Sequence, residues 1–357
     1  MTGIVRPASA FVESLGRLCR ISTPATVACV ESTMFDTFDQ SLIHGLAVAP
    51  RASFRQLADV LGASDQTVAR RYRRFQEEGS VQVLGRLDAR RLGYVDWLLR
   101  LQCEPDAAPA VAASLARRDD TSWIKLASGG TEVMCAVQVR SAAQRDALLL
   151  QKLPGTRQVT GMSAHWVLHV FARGTNMWGS GQSTLGDDQI AALRATAPAV
   201  ADPPDEPMVL DDEDRRLTDV LAKDGRAGYA QLAAATGLHE STARRRVEHL
   251  YASGALVYET DVDTSRLGIN ALAMLYMSVA PTHLATVGAA LADLPEVPFV
   301  AATTGTHNLV ASVACRDAHA LYDCLALRIG TLDAVDAVEA VPVLRTFKRV
   351  GTVGRRR

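Results

Sequence analysis

Two arginine clusters stand out as residues that could do chemistry. Arg70, Arg71, Arg73 and Arg74 lie within ARRYRRF, and Arg244, Arg245 and Arg246 lie within ARRRVEH. A guanidinium binds phosphate bidentately and also fits the edge of guanine. A short helix with arginines on one face and small polar residues at its tip is a shape the major groove accepts. The candidates for base edges are Gln66, Thr67, Arg70, Arg73, Ser241, Thr242 and Arg245. Arg71, Arg74, Arg244 and Arg246 are the candidates for phosphate. A surface helix can also carry arginines that merely face water, so one cluster alone does not decide.

The elements around the clusters do decide. Gly62 ends the preceding helix, FRQLADVL, because glycine takes the left-handed conformation a sharp stop needs. Ser64 is placed to cap the next helix and Asp65 to sit at its positive end. Val68, Tyr72 and Phe75 fall at i, i+4 and i+7, so one side faces a core and the arginines face away. This is the second half of a helix-turn-helix. The pattern returns at a constant offset of 175 positions: Gly62 with Gly237, Thr67 with Thr242, Arg70 and Arg71 with Arg245 and Arg246, Gly79 with Gly254. Gln56-Leu57-Ala58 recurs as Gln231-Leu232-Ala233, and Asp88, Leu92 and Gly93 recur as Asp263, Leu267 and Gly268. The chain is an internal duplication.

With 357 residues the chain has room for several domains, and 48% hydrophobic against 22% charged residues is ordinary globular composition. A net charge of −1 means that any nucleic-acid contact rests on local patches. Six cysteines, at 19, 29, 103, 135, 315 and 324, form no CxxC pair, which points to a reducing cytoplasm and no metal. No apolar run is long enough to span a membrane.

In order, residues 1–36 have no counterpart in the second half and read as a flexible extension. Residues 37–85 are the first helix-turn-helix, with a short β-prone segment beginning after Gly79. Residues 86–173 alternate as β-α-β-β-α-β, the split βαβ arrangement. Residues 174–210 are rich in Gly, Ser, Pro and acid and read as a linker, with a short helix near Asp188–Ala195. The second helix-turn-helix spans 211–258 and the second β-α-β-β-α-β unit 259–350, with a basic tail at 351–357. Within the β units the offset becomes 176, so Gly129 meets Gly305. The fold class is α+β, with two helix-turn-helix domains and two ferredoxin-like βαββαβ domains in tandem. Each predicted sheet has helices for one face only, so the two sheets are expected to pack on each other.

The QLA motif, the Gly62-x-Ser64-x-x-Thr67-Val68-x-Arg70-Arg71 run and the Asp88…Leu92-Gly93 hinge, with their second copies, resemble the Lrp/AsnC (feast/famine) family of transcription regulators. The resemblance spans nearly all of 37–350, twice. It implies double-stranded DNA as partner, self-association through the sensor domains, and a turn that binds an amino-acid-like effector. In this sequence that turn falls at Gly129 and Thr131, and again at Gly305, Thr306, His307 and Asn308. The two turns differ from the family's usual residues and from each other. Siroheme decarboxylases are similar in fold and use His and Arg in the sensor domain, which makes an enzyme the alternative reading. A ligand-sensing scaffold without DNA binding is the third.

No Gly-rich phosphate loop, HExxH or nucleophile elbow is present, and no cofactor is expected. His165 and His169 are four apart, but VLHVF reads as strand, which separates them too far for one metal. Trp97, Trp123 and Trp166 read as strand and core residues.

Overall fold

The computed structural model describes residues 34–104, 106–153, 156–173, 184–196 and 207–350. Most of the extension, two stretches of the linker (174–183 and 197–206) and the basic tail lie outside the described residues.

Helices α1 (Thr37–Val48), α2 (Phe54–Leu61) and α3 (Asp65–Glu78) make the first helix-turn-helix. Gly62 takes φ +64° at the stop of α2, and Ser64 caps α3 by accepting from the Thr67 amide. Val68, Tyr72 and Phe75 are buried, and Phe75 packs edge-on against Phe35 at 5.4 Å. Burial of Phe75 alone is worth on the order of 3 kcal/mol. The domain begins before residue 37, because Asp36 caps α1 and Phe35 lies in the core, so the extension is shorter than the sequence suggests.

Strand β1 (Val81–Leu87) follows, then β2 (Val95–Cys103), α4 (Ala108–Ala116), β3 (Thr121–Ala127), β4 (Glu132–Val139), α5 (Ala142–Asp146, continued by a π-turn to Lys152) and β5 (Val159–Arg173). Helix α6 (Asp187–Arg194) is the helix expected in the linker. It docks on the first helix-turn-helix, with Leu193 fully buried there and Gln189 Nε2 donating to Val60 O at 2.7 Å.

The second unit repeats the order: α7 (Asp212–Leu221), α8 (Tyr229–Thr236), α9 (Glu240–Ala252), β6 (Leu256–Val262), β7 (Ala271–Val279), α10 (Leu284–Ala292), β8 (Phe299–Thr303), β9 (Leu309–Cys315), α11 (Ala318–Asp323) and β10 (Val335–Lys348).

Two devices join the halves. Strands β1 and β6 form an antiparallel ribbon in which Leu84 faces Glu259, its own duplicate, so a pseudo-two-fold axis passes through that pair. Around the axis contacts are exchanged reciprocally. Arg51 donates to the carbonyls of Gly225 and Ala227 at 2.6 and 3.1 Å, and its duplicate Arg226 donates to those of Pro50 and Ala52 at 2.5 and 2.7 Å. Gly225 is needed at this contact, since a Cβ there would lie 2.8 Å from the Leu84 backbone. Leu267 enters the first helix-turn-helix core and its duplicate Leu92 enters the second.

The second device is the sheet. Among the described residues the strand order is β10-β3-β4-β2-β5-β8-β9-β7, closed into a barrel. Strand β5 pairs with β2 up to Trp166 and with β8 from Val167 onward. Strand β10 pairs with β7 up to Pro342 and with β3 from Val343. Each unit thus lends half a strand to the other, and the two sheets join through β5 and β10. Alternate residues face the helices, as Leu99, Leu101 and Cys135 do, and Leu275, Ala311 and Val313 in the second unit. The others face inward, where Met134, Met274, Tyr276, Val310 and Val341 form a core between the sheets. The two sheets therefore pack on each other within one chain, through strand ends as well as faces.

Candidate nucleic-acid interface

Each arginine cluster splits once the first helix of its domain is in place. Arg71 Nη1 reaches Asp36 at 2.6 Å and Asp39 at 3.0 Å, and Arg74 Nη2 reaches Asp39 at 2.5 Å. The second unit repeats this: Arg246 Nη1 reaches Asp211 at 2.8 Å and Asp214 at 3.0 Å, and Nη2 reaches Glu213 at 2.5 Å. Asp36 and Asp211 are the caps of α1 and α7, so one carboxylate serves both a helix start and a recognition helix. Burial alone would raise the Asp36 pKa, but the Asp39 amide and Arg71 outweigh it and hold Asp36 below the usual carboxylate range. The Asp214 amide, with Arg246, does the same for Asp211.

This revises three of the phosphate candidates. Arg71, Arg74 and Arg246 are tied to acids on the neighbouring helix and set the angle of α3 and α9. Arg244 is exposed but bridges Glu240 at 3.5 Å and stacks on Tyr229 at 4.4 Å. Arg70, Arg73 and Arg245 are exposed and form no ion pair among the described residues. Gln66 and Ser241 are exposed at the helix tips. Thr67 and Thr242 are half-buried, and the Thr67 hydroxyl lies 2.9 Å from Ser64 Oγ. The open face of α3 therefore presents Gln66, Arg70 and Arg73, and that of α9 presents Ser241, Arg244 and Arg245 with Glu248. Sequence spacing missed the Asp36–Arg71 and Asp211–Arg246 pairs. The signal was available, because all four residues obey the offset of 175.

The two turns of the sensor domains differ as their sequences do. Gly129 and Gly130 take φ +68° and +91°, and a Cβ on either would meet nothing within 4 Å. Thr131 Oγ1 donates to Ser128 O within the turn. The second turn is braced. Asn308 Oδ1 accepts from the Val279 amide at 3.0 Å and Asn308 Nδ2 donates to Val279 O at 2.7 Å. Asn308, an effector candidate in sequence, thus locks β7 to the turn. His307 lies 6.2 Å from the Tyr276 ring, Thr306 O accepts from Ser278 Oγ, and Gly305 leaves room for His165, whose Nδ1 would be 2.8 Å from a Cβ.

Beneath these turns the barrel interior holds one polar cluster beside its apolar core. Arg100 makes ion pairs with Glu132 at 2.5 Å and Glu339 at 2.7 Å and lies 4.2 Å above the Tyr276 ring. The hydrogen bonds that Arg100 donates to Glu339 raise its pKa against the effect of burial, and burial raises that of Tyr276. His165 faces Tyr276 at 6.3 Å and contacts Thr304 O at 2.9 Å. His169 instead packs edge-on against Phe171, and no metal-binding cluster exists among the described residues. Trp97 and Trp166 stack at 6.2 Å, but Trp166 is 44% exposed and so is not a core residue. No described helix is long and apolar enough to cross a membrane.

Two helix-turn-helix domains on a ribbon, carried by a closed pair of βαββαβ sheets, define a duplicated helix-turn-helix protein. The AsnC-type helix-turn-helix domain matches residues 35–76 and 210–250, and the Lrp/AsnC ligand binding domain matches 272–353. The HTH-type transcriptional regulator FL11 of Pyrococcus horikoshii is 31% identical over 140 residues, covering 39% of this chain and 92% of its own length. The regulator LrpA of Pyrococcus abyssi is 26% identical over 141 residues, 39% of this chain and all of its own. The chain belongs to the Lrp/AsnC family. Among solved structures, the siroheme decarboxylase NirDL superposes with a TM-score of 0.59 at 17% identity, covering 88% of this chain and 93% of that one, a likeness of fold.

Proposed function

We propose that this chain is a sequence-specific DNA-binding transcription regulator that reads two unlike half-sites with one polypeptide. The observation that carries this is the pair of open recognition faces, on α3 and α9, held by duplicated ion pairs about one pseudo-two-fold axis. A symmetric dimer with identical helices reads a palindrome. Here Gln66 stands where the second copy has Ser241, Ala69 where it has Arg244, and Arg73 where it has Glu248. Gln66, Arg70 and Arg73, with Ser241 and Arg245, are proposed for base edges, Thr67 and Thr242 for the groove wall, and Arg244 for phosphate. The open turn at Gly129 and Thr131 is proposed for a small effector, and the turn at Thr306 and His307 for a weaker or different one. Further association of whole chains through the sensor domains is part of the same reading. Selection of bound sequences from random DNA tests it: two dissimilar half-sites are expected, and a short palindrome with equal information in both halves overturns it.

The likeness to NirDL favours a second reading, an enzyme acting inside the barrel, because Arg100, His165 and Tyr276 converge there. One feature weighs against it: Arg100 is already neutralised by Glu132 and Glu339. Purified protein carrying a visible absorbance band would favour the enzyme.

A further inference from the structure

Lys125 on β3 points into the barrel and is 9% exposed. Its ammonium lies 3.1 Å from Met274 Sδ and 3.3 Å from Ser312 Oγ, two neutral acceptors, and 5.7 Å from the centre of the Trp123 ring, and it pairs with no acid among the described residues. It borders the 210 Å³ cavity, which lies between the sheets and the β1–β6 ribbon. The other charged residues lining that cavity are matched: Arg86 with Glu259 at 3.5 Å, Arg173 with Asp96 at 3.6 Å, Arg349 with Asp261 at 2.6 Å. One positive charge is left over. Burial pushes the Lys125 pKa down to about 8. A buried cation without a counter-charge is strongly unfavourable, and folds retain one where a ligand or reaction supplies the missing charge.

The duplication shows that Lys125 is no part of the framework. At the offset of 176 its counterpart is Ala301, and the counterpart of Ser312 is Ala136. The lysine and the hydroxyl that it meets come from different units and occur together once per chain. The apolar walls offered to a ligand include Trp123, Phe299, Met134 and Met274.

We propose that the inter-sheet cavity binds one small organic monocarboxylate per chain, with its carboxylate on Lys125 and Ser312 and its apolar body between Trp123 and Phe299. A cavity of about 210 Å³ lies below the usual range for drug-sized ligands and suits a small molecule. The site is distinct from the two effector turns, and its occupancy is read without DNA. A failure of the DNA-binding reading therefore leaves this one standing, and the reverse.

The test is titration calorimetry on the full chain with phenylacetate and 4-methylpentanoate, and with phenylacetamide as the uncharged isostere. Saturable binding at one per chain is expected for at least one acid, with the amide at least tenfold weaker. Lys125→Met should bind the acid at least tenfold more weakly and melt no lower than the parent, because a structural lysine would lower the melting temperature when lost. Equal binding of phenylacetate and phenylacetamide, undiminished binding by Lys125→Met, or no binding by either acid at millimolar concentration would overturn the proposal. Should Lys125→Met fail to fold, that too counts against it, and Ser312→Ala with the acid–amide comparison gives the independent reading.

Discussion

The two helix-turn-helix domains of this chain share the contacts that join the halves and anchor the recognition helices, and differ at several of the positions that face outward. Arg71 and Arg246, Asp36 and Asp211, Arg51 and Arg226, and Leu92 and Leu267 make equivalent contacts in the two halves. The exposed positions differ: Arg73 against Glu248, Gln66 against Ser241. The barrel interior diverges in the same way, with Arg100 opposite Tyr276 in the duplication and Lys125 opposite Ala301. Reciprocal contacts must be kept in both copies, because each copy completes the other's core. Surfaces that meet DNA or a ligand carry no such constraint once both copies share one chain. A homodimer cannot separate its two recognition faces, and this chain can.

The largest expected effect tests the framework. Asp39 is buried and serves both Arg71 and Arg74, whereas Arg246 draws on three acids. Asp39→Ala should cost about 2–4 kcal/mol of stability, since two half-buried guanidiniums lose a partner. Asp214→Ala should cost less than half of that, and equal losses in chemical denaturation would show that the extra acids on Arg246 contribute nothing.

Next comes the open face. Arg70→Ala should weaken binding to the selected site by about 1–3 kcal/mol and relax one base preference, while Arg71→Ala should chiefly lower stability. Electrophoretic shifts paired with thermal melts separate the two effects. If Arg70→Ala binds as the parent does, the face has been assigned to the wrong side of α3.

A smaller effect distinguishes the domains by pH. Burial pushes the His44 pKa down to about 4, while its counterpart is Asp219, which is exposed. A histidine depressed on folding takes its proton first in the unfolded chain. It therefore leaves stability untouched above about pH 6.5 and reduces it as pH falls from there toward 4. The first domain should lose about 1 kcal/mol by pH 5, allowing for partial solvation, and His44→Leu should flatten that slope. A slope unchanged in the variant would assign the acid sensitivity elsewhere.

The smallest change concerns salt. Glu248→Arg makes α9 resemble α3 at that position. The slope of log affinity against log salt should steepen by about one contact's worth, roughly 0.9, with affinity rising by less than about 1 kcal/mol at ordinary ionic strength. An unchanged slope would place Glu248 away from the phosphates.

What the sequence determined by itself was periodicity and repetition. The buried stripe Val68, Tyr72 and Phe75, the left-handed stop at Gly62 and the strands Val95–Cys103 and Ala271–Val279 follow from local spacing. So does the pairing of the two sheets, because each had helices for only one face. Local patterns suffice there, since capping, turn geometry and alternation act within a few residues. The sharing of β5 and β10 between sheets was hidden. A strand running His165–Phe171 could be read, but not that the fold extends it to Val159–Arg173 and changes its partner after Trp166. The partners of the arginines were equally out of reach for spacing alone. Arg71 and Arg70 look alike on a helical wheel, and only the docking of α1 puts Asp36 and Asp39 beside one of them. Lys125 reads as an ordinary strand residue until the second sheet closes over it. Burial, and with it the cost of a charge, depends on what lies across the barrel, which is a property of the tertiary structure.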